Sequence, residues 1–165
     1  MQMNRLLTPW VLVFVLILYA IINSVASAQE LKLPRFVSIK TDEANARVGP
    51  GKRYPIRWKF VTEGLPLEVV NQYGEWRQIR YIDGEEFWMH VTQLSSKRTV
   101  VLTGGTSVLW RKASIESVPL LHAEEGVIAG LLECKRDWCR IEVSGIKGWL
   151  KRTNLWGVYS NENIQ

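Results

Sequence analysis

The chain reads as all-β, two small barrels in tandem behind a cleavable leader, and three observations carry that reading. Runs rich in β-branched and aromatic residues (FVSIK, LEVVNQ, EWRQIRYI, EFWMHV, TVVLT) are divided by the turn signals GPG, EGLP, YGE and DGE. No segment beyond the leader sustains a helical period. Finally, EWRQIRYIDGEEFWMHVTQL at residues 75–94 is echoed by DWCRIEVSGIKGWLKRTNL at 137–155.

The leader comes first in the chain. Arg5 supplies its basic start, Trp10 through Ile22 is apolar except for Tyr19, and Ala26 and Ala28 fit the small-residue positions of a cleavage site, which predicts a cut after Ala28. The competing reading is an uncleaved anchor, for which the run is short against the roughly 20 residues a span needs. The predicted organisation is a signal peptide at 1–28, a first barrel at 33–98, a second at 99–159 and a tail at 160–165. Such a protein is periplasmic or secreted and has no stable membrane span once cleaved. The mature chain keeps 20 basic and 16 acidic residues, a net charge of +4, with the two signs interspersed. That scatter argues against nucleic acid as a partner and leaves room for weak attraction to an anionic envelope polymer.

Fixed points align the repeat. Gly64 to Trp76 and Gly126 to Trp138 both span 12 residues, while Trp76 to Trp88 spans 12 and Trp138 to Trp149 spans 11. The turn in VSGIKG absorbs the loss. Downstream, Thr92 falls on Thr153 and Leu94 on Leu155; upstream, Arg47 falls on Arg111 if the second copy's first long loop is two residues shorter. Units of about 60 residues suit small barrels. The linker in SSKRTV is short enough to predict that the two touch.

Alternation along the strands then sorts the side chains. Ile79 and Tyr81 share the inward face, and Trp76, Gln78 and Arg80 the outward one. In the next strand Phe87, Met89 and Val91 point in, and Trp88 and His90 out. The second copy repeats this, with Cys139, Ile141 and Val143 alternating with Trp138, Arg140 and Glu142, and with Ile146 and Leu150 in and Lys147, Trp149 and Lys151 out. Outward tryptophans have three readings: rings lying flat as rim packing, rings meeting between modules, or a ligand-binding shelf. Under the third, Trp76 and Trp88 form the shelf, and Tyr54, Trp58 and Tyr73 complete a groove in the first copy. The matching turn of the second copy, KRD, has no aromatic residue.

The only cysteines, Cys134 and Cys139, flank the turn KRDW. Alternation puts Leu132 and Cys134 on the inward face of one strand and Cys139 and Ile141 on that of the next, so the sulfurs face each other across a hairpin. A disulfide is the expectation in an oxidising compartment, against the alternative of two unpaired thiols. Their counterparts in the first copy, Gln72 and Arg77, are polar, which predicts a place at the barrel rim.

Little points to catalysis. His90 and His122 are the only histidines, His122 in a loop-like LLHAEEG, and neither has metal-ligand spacing with the cysteines. No serine elbow or phosphate loop is present, and Asp83, Glu85 and Glu86 crowd a turn as acids commonly do. The expectation is a non-catalytic monomer, or a weakly associating one, without cofactor or metal.

ANARVGPGKRYP, EGLPLEVV, GEWRQI and EFWMHVTQL, with EEGVIAGLLECKRDWCRIEVSGIKGWLKRTNLWGVY in the second copy, resemble bacterial SH3 domains over most of residues 36–159. The two cysteines and the closing LWGVY look like the tandem form in exported proteins of Gram-negative bacteria. WRKASIES departs from the pattern, since it lacks the Gly-Pro of RVGPGKR. The resemblance implies SH3-like β-barrels and a cell-envelope binding module for peptidoglycan or a peptide. The alternative is a structural or assembly factor that contacts another envelope protein.

Overall fold

The computed structural model describes residues 32–165, so the predicted signal peptide and cleavage site lie outside the described residues. The first half forms β1 (Arg35–Ile39), β2 (Ala44–Arg47), β3 (Ile56–Phe60), β4 (Pro66–Tyr73), β5 (Trp76–Arg80), β6 (Glu86–His90) and β7 (Leu94–Ser95). The second forms β8 (Thr99–Leu102), β9 (Ser107–Trp110), β10 (Pro119–Ala123), β11 (Ile128–Lys135), β12 (Trp138–Val143), β13 (Ile146–Lys151) and β14 (Leu155–Trp156). Each set makes one seven-stranded antiparallel sheet, in the orders β3-β2-β6-β5-β4-β1-β7 and β10-β9-β13-β12-β11-β8-β14, so the repeat holds strand by strand. Gly64 and Gly126, at φ 78° and 86°, occupy the same left-handed turn. Their N–H groups donate to Ile39 and Leu102 at 2.9 Å each.

Register corrects the alignment upstream. Arg47 pairs with Trp88 and Trp110 with Trp149, so Arg47 corresponds to Trp110, and Arg111 to Val48. The loop after β2 is not shortened, because the registers Arg47↔Ile56 and Trp110↔Pro119 enclose equal lengths. ANAR forms a strand: Ala44 and Ala46 are fully buried while Asn45 and Arg47 face outward.

Val37, Ile39, Leu67, Val69, Ile79, Phe87 and Met89 fill the first barrel, and Val100, Leu102, Leu109, Leu131, Ile141 and Leu150 are among those that fill the second. Three inward assignments fail locally. A β-bulge between Leu131 and Glu133 shifts the alternation, so Leu131 is buried and Leu132 is not. Ile146, next to the β12–β13 turn, is 39% exposed. Val91 leaves the strand and opens a short 3-10 turn, Val91–Gln93. His122 lies exposed in β10 instead of in a loop. At matched positions the barrels exchange volume, with Ala46 and Phe87 in the first against Leu109 and Gly148 in the second. The Leu109 Cβ leaves only 2.9 Å to a Cβ built on Gly148.

The two sheets touch, as the short linker predicts, and Lys32–Gln165 form one compact unit. Phe36 projects from β1 away from its own core and meets Trp156 edge-on at 5.2 Å and Tyr159 at 4.7 Å between centroids. Trp156 also meets Tyr81 at 6.2 Å. The Tyr159 hydroxyl donates to Glu68 of β4 at 2.8 Å, and the Thr99 hydroxyl to the Gly64 carbonyl at 2.6 Å. Gly157, at φ 114°, passes so close that a Cβ there would stand 2.7 Å from the Thr99 carbonyl oxygen.

Cys134 and Cys139 pair across the β11–β12 hairpin and are disulfide-bonded. Gln72 and Arg77 pair at the same place in the first barrel. The bond is not at an open rim, for both cysteines are fully buried. The tail covers them: Cys134 and Ile164 exchange both backbone hydrogen bonds, at 3.0 and 3.3 Å. Arg152 holds the same segment by donating to the carbonyls of Tyr159 and Glu162 at 2.5 and 2.7 Å.

Candidate ligand-binding faces of the first barrel

Trp76 and Trp88 face outward, as alternation requires, and are half-buried. Two rows of side chains cross this face. In one, Tyr73, 67% exposed, pairs with Trp76, which pairs with His90 and meets its ring edge-on at 5.2 Å. In the other, Trp88 stands between Gln78 on β5 and Arg47 on β2. The Arg47 guanidinium donates to the Tyr54 carbonyl at 2.7 Å, which ties Tyr54 and the GPG loop to the same side. The Tyr54 ring covers Gly49, where a Cβ would stand 2.6 Å from it, so the ring needs that glycine.

Polar side chains pair beside these rings. Gln78 donates to Glu86 at 2.7 Å, and Arg80 bridges Glu86 at 2.9 Å and Glu68 at 3.2 Å. The hydrogen bond to Glu86 raises the Arg80 pKa above its ordinary value, so this cation stays charged. Glu68 in turn receives the Tyr159 hydroxyl, so an unbroken polar chain runs from Gln78 to the contact between sheets. The ring pairs at that contact involve Phe36, Tyr81, Trp156 and Tyr159, whereas the ring contact of Trp76 stays within the first sheet.

Trp58 does not join this group. It pairs with the inward Ala46, so its ring stands on the opposite face of the sheet, over the open side of the barrel and 49% exposed. There it lines a cavity of about 220 Å³ with Lys59, Phe60, Tyr81, Asp83, Glu85 and Phe87. Phe60 packs on Tyr81 and Phe87 with centroids 5.8 and 5.3 Å apart. The Trp58 indole N–H donates to Glu85 at 2.8 Å. In the sequence, Tyr81 and Phe87 read as core and the carboxylates as an ordinary turn, while Phe60 carries no assignment. Their one available signal was the coincidence of an acidic turn with aromatic strand ends. No group of three metal-ligating side chains forms among the described residues.

Two seven-stranded antiparallel barrels, joined through aromatic side chains and each carrying outward, half-buried tryptophans, define a small tandem β-barrel protein. The chain belongs to the bacterial SH3 domain family, which it matches at residues 40–96 and again at 106–157. No curated protein matches it in sequence. Among solved structures it is similar to NlpC2 from Trichomonas vaginalis, at 11% identity and a TM-score of 0.35, over 77% of this chain and 49% of that one. It is also similar to an NlpC/P60 family protein from Bacillus cereus, at 15% identity and a TM-score of 0.33, over 79% of this chain and 58% of that one. The chain thus spans about half the length of these two proteins.

Proposed function

We propose that this protein is an exported, non-catalytic binding module of the cell envelope whose first barrel recognises peptidoglycan or a peptide. The observation that carries the reading is the outward aromatic row of β4, β5 and β6, with Tyr73 and Trp76 paired at its open end. Rings held by packing lose little side-chain entropy when they stack on a sugar or peptide face. The leader and the buried disulfide support export, since oxidising compartments preserve such bonds. Protein recovered from the envelope should therefore begin at Gln29, and recovery of an intact Met1 chain in the membrane pellet would contradict export.

Retention on purified sacculi, together with melting temperature, tests the binding. Trp76→Ala should weaken retention by about 1–2 kcal/mol or more with little change in melting, and Trp138→Ala should retain wild-type binding. Unchanged retention by folded Trp76→Ala at a lowered melting temperature would make Trp76 a packing residue. No retention by the wild type, together with capture of one envelope protein from an extract, would favour an assembly role.

A further inference from the structure

The cavity beneath Trp58 has a composition that its place in the barrel does not require. Four rings, Trp58, Phe60, Tyr81 and Phe87, wall it, and two carboxylates, Asp83 and Glu85, stand at its edge. The matched positions in the second barrel are Leu121, Ala123, Val143 and Gly148, with Ile146 in place of Glu85, so both the aromatic walls and that carboxylate belong to the first barrel alone. The fold therefore stands without them.

Charge at the edge favours a cation. Arg57 pairs with Glu85 and Lys59 with Glu43, both at 2.8 Å, which leaves Asp83 with no ion-pair partner among the described residues. Aromatic faces attract cations as well, most strongly where water is excluded. The free acceptors define which cation. Glu85 has one oxygen on Arg57 and the other on the Trp58 indole N–H, and one Asp83 oxygen receives the Glu85 N–H at 2.8 Å. Of the two carboxylates that line the cavity, a single oxygen, on Asp83, has no hydrogen-bond partner among the described residues. A guanidinium fork seeks two parallel acceptors, whereas an ammonium is a compact point charge that one oxygen and several ring faces can hold.

We propose that this cavity binds a primary alkylammonium group carried on a peptide side chain. The ammonium sits against Asp83 and its methylene stem lies between Trp58 and Phe60. The site lies on the opposite face of the sheet from Trp76 and Trp88, so it is independent of the outward shelf and is tested separately from it.

The test titrates the mature protein with a blocked Ala-Lys-Ala peptide and with its Nε-acetyl-lysine and norleucine analogues. Binding is read from the indole N–H resonance of Trp58 and by calorimetry. The lysine peptide should shift that resonance, with affinity lowered at least about tenfold by acetylation, by norleucine or by Asp83→Asn; tenfold corresponds to about 1.4 kcal/mol. Asparagine keeps the acceptor for the Glu85 N–H, so the turn survives the substitution. Trp76→Ala should leave the titration unchanged even if it abolishes retention on sacculi. Equal binding of the norleucine peptide, or a lysine-dependent shift confined to the Trp76 or Trp88 indole, would overturn the proposal, as would the absence of any shift at Trp58 up to millimolar peptide.

Discussion

Gly148 shows how one position settles a neighbour's size. Its missing Cβ is what lets Leu109 fill the second barrel, and Gly148→Ala forces a methyl against a leucine with 2.9 Å available. Overpacking of this kind costs about 1–3 kcal/mol. Chemical denaturation should show that loss, and because the nearest atom is the Leu109 Cβ, which valine keeps, adding Leu109→Val should not recover it. Recovery in the double variant would place the clash on the outer leucine atoms instead. Trp58 illustrates the limit of reasoning from one strand. Its type marks it as a candidate, but the face it takes depends on pairing with Ala46, and nothing within IRWKF specifies that partner.

At the scale of elements, strands with β-branched inward residues, such as TVVL at β8 or WRQIR at β5, were legible because burial and alternation coincide. β2 and β3 were hidden. The inward residues of β2 are alanines, and β3 lies at the sheet's end with Ile56 and Trp58 half-exposed, so neither carries an apolar signature. The β11–β12 hairpin was legible down to its Cys134–Cys139 pairing, although its burial was not, because the covering comes from Ile164, 30 residues beyond Cys134. Closing so small a loop constrains the unfolded chain by about 2 kcal/mol. Replacing both cysteines by alanine should lower stability by that order in urea unfolding. A loss well above this would mean that the tail detaches as well.

For the whole molecule, the tail residues from Trp156 to Glu162 connect the two barrels. Glu162 receives Arg98 at 2.5 and 3.0 Å and the Tyr159 N–H at 3.2 Å. Burial alone would raise the Glu162 pKa, but the hydrogen bonds from Arg98 and the Tyr159 N–H, with the charges of Arg98 and Arg152, hold it below the ordinary carboxylate value. A lowered folded pKa means that its contribution is present above about pH 4.3, the unfolded value, and is lost as pH falls through the folded one. Tyr159 acts at the other end of the scale: burial first, then its bond to Glu68, raises its pKa. Its contribution is present below about pH 10 and is lost as pH rises through the folded value. Between these limits the protein should unfold in one cooperative transition. Glu162→Gln should narrow the difference in stability between neutral pH and about pH 3, the acid side of the unfolded value; an identical acid profile would remove Glu162 from the linkage.

Two alike barrels on one chain also face a hazard during synthesis, since a strand of one copy can dock in the frame of the other before its own partner arrives. The exchanged volumes guard against it. If β6 occupied the place of β13 beside β9, the Phe87 ring would meet Leu109 where not even a methyl fits. The copies have thereby become mutually non-interchangeable, and a chimaera carrying β6 in both barrels should accumulate as misassembled chains on refolding.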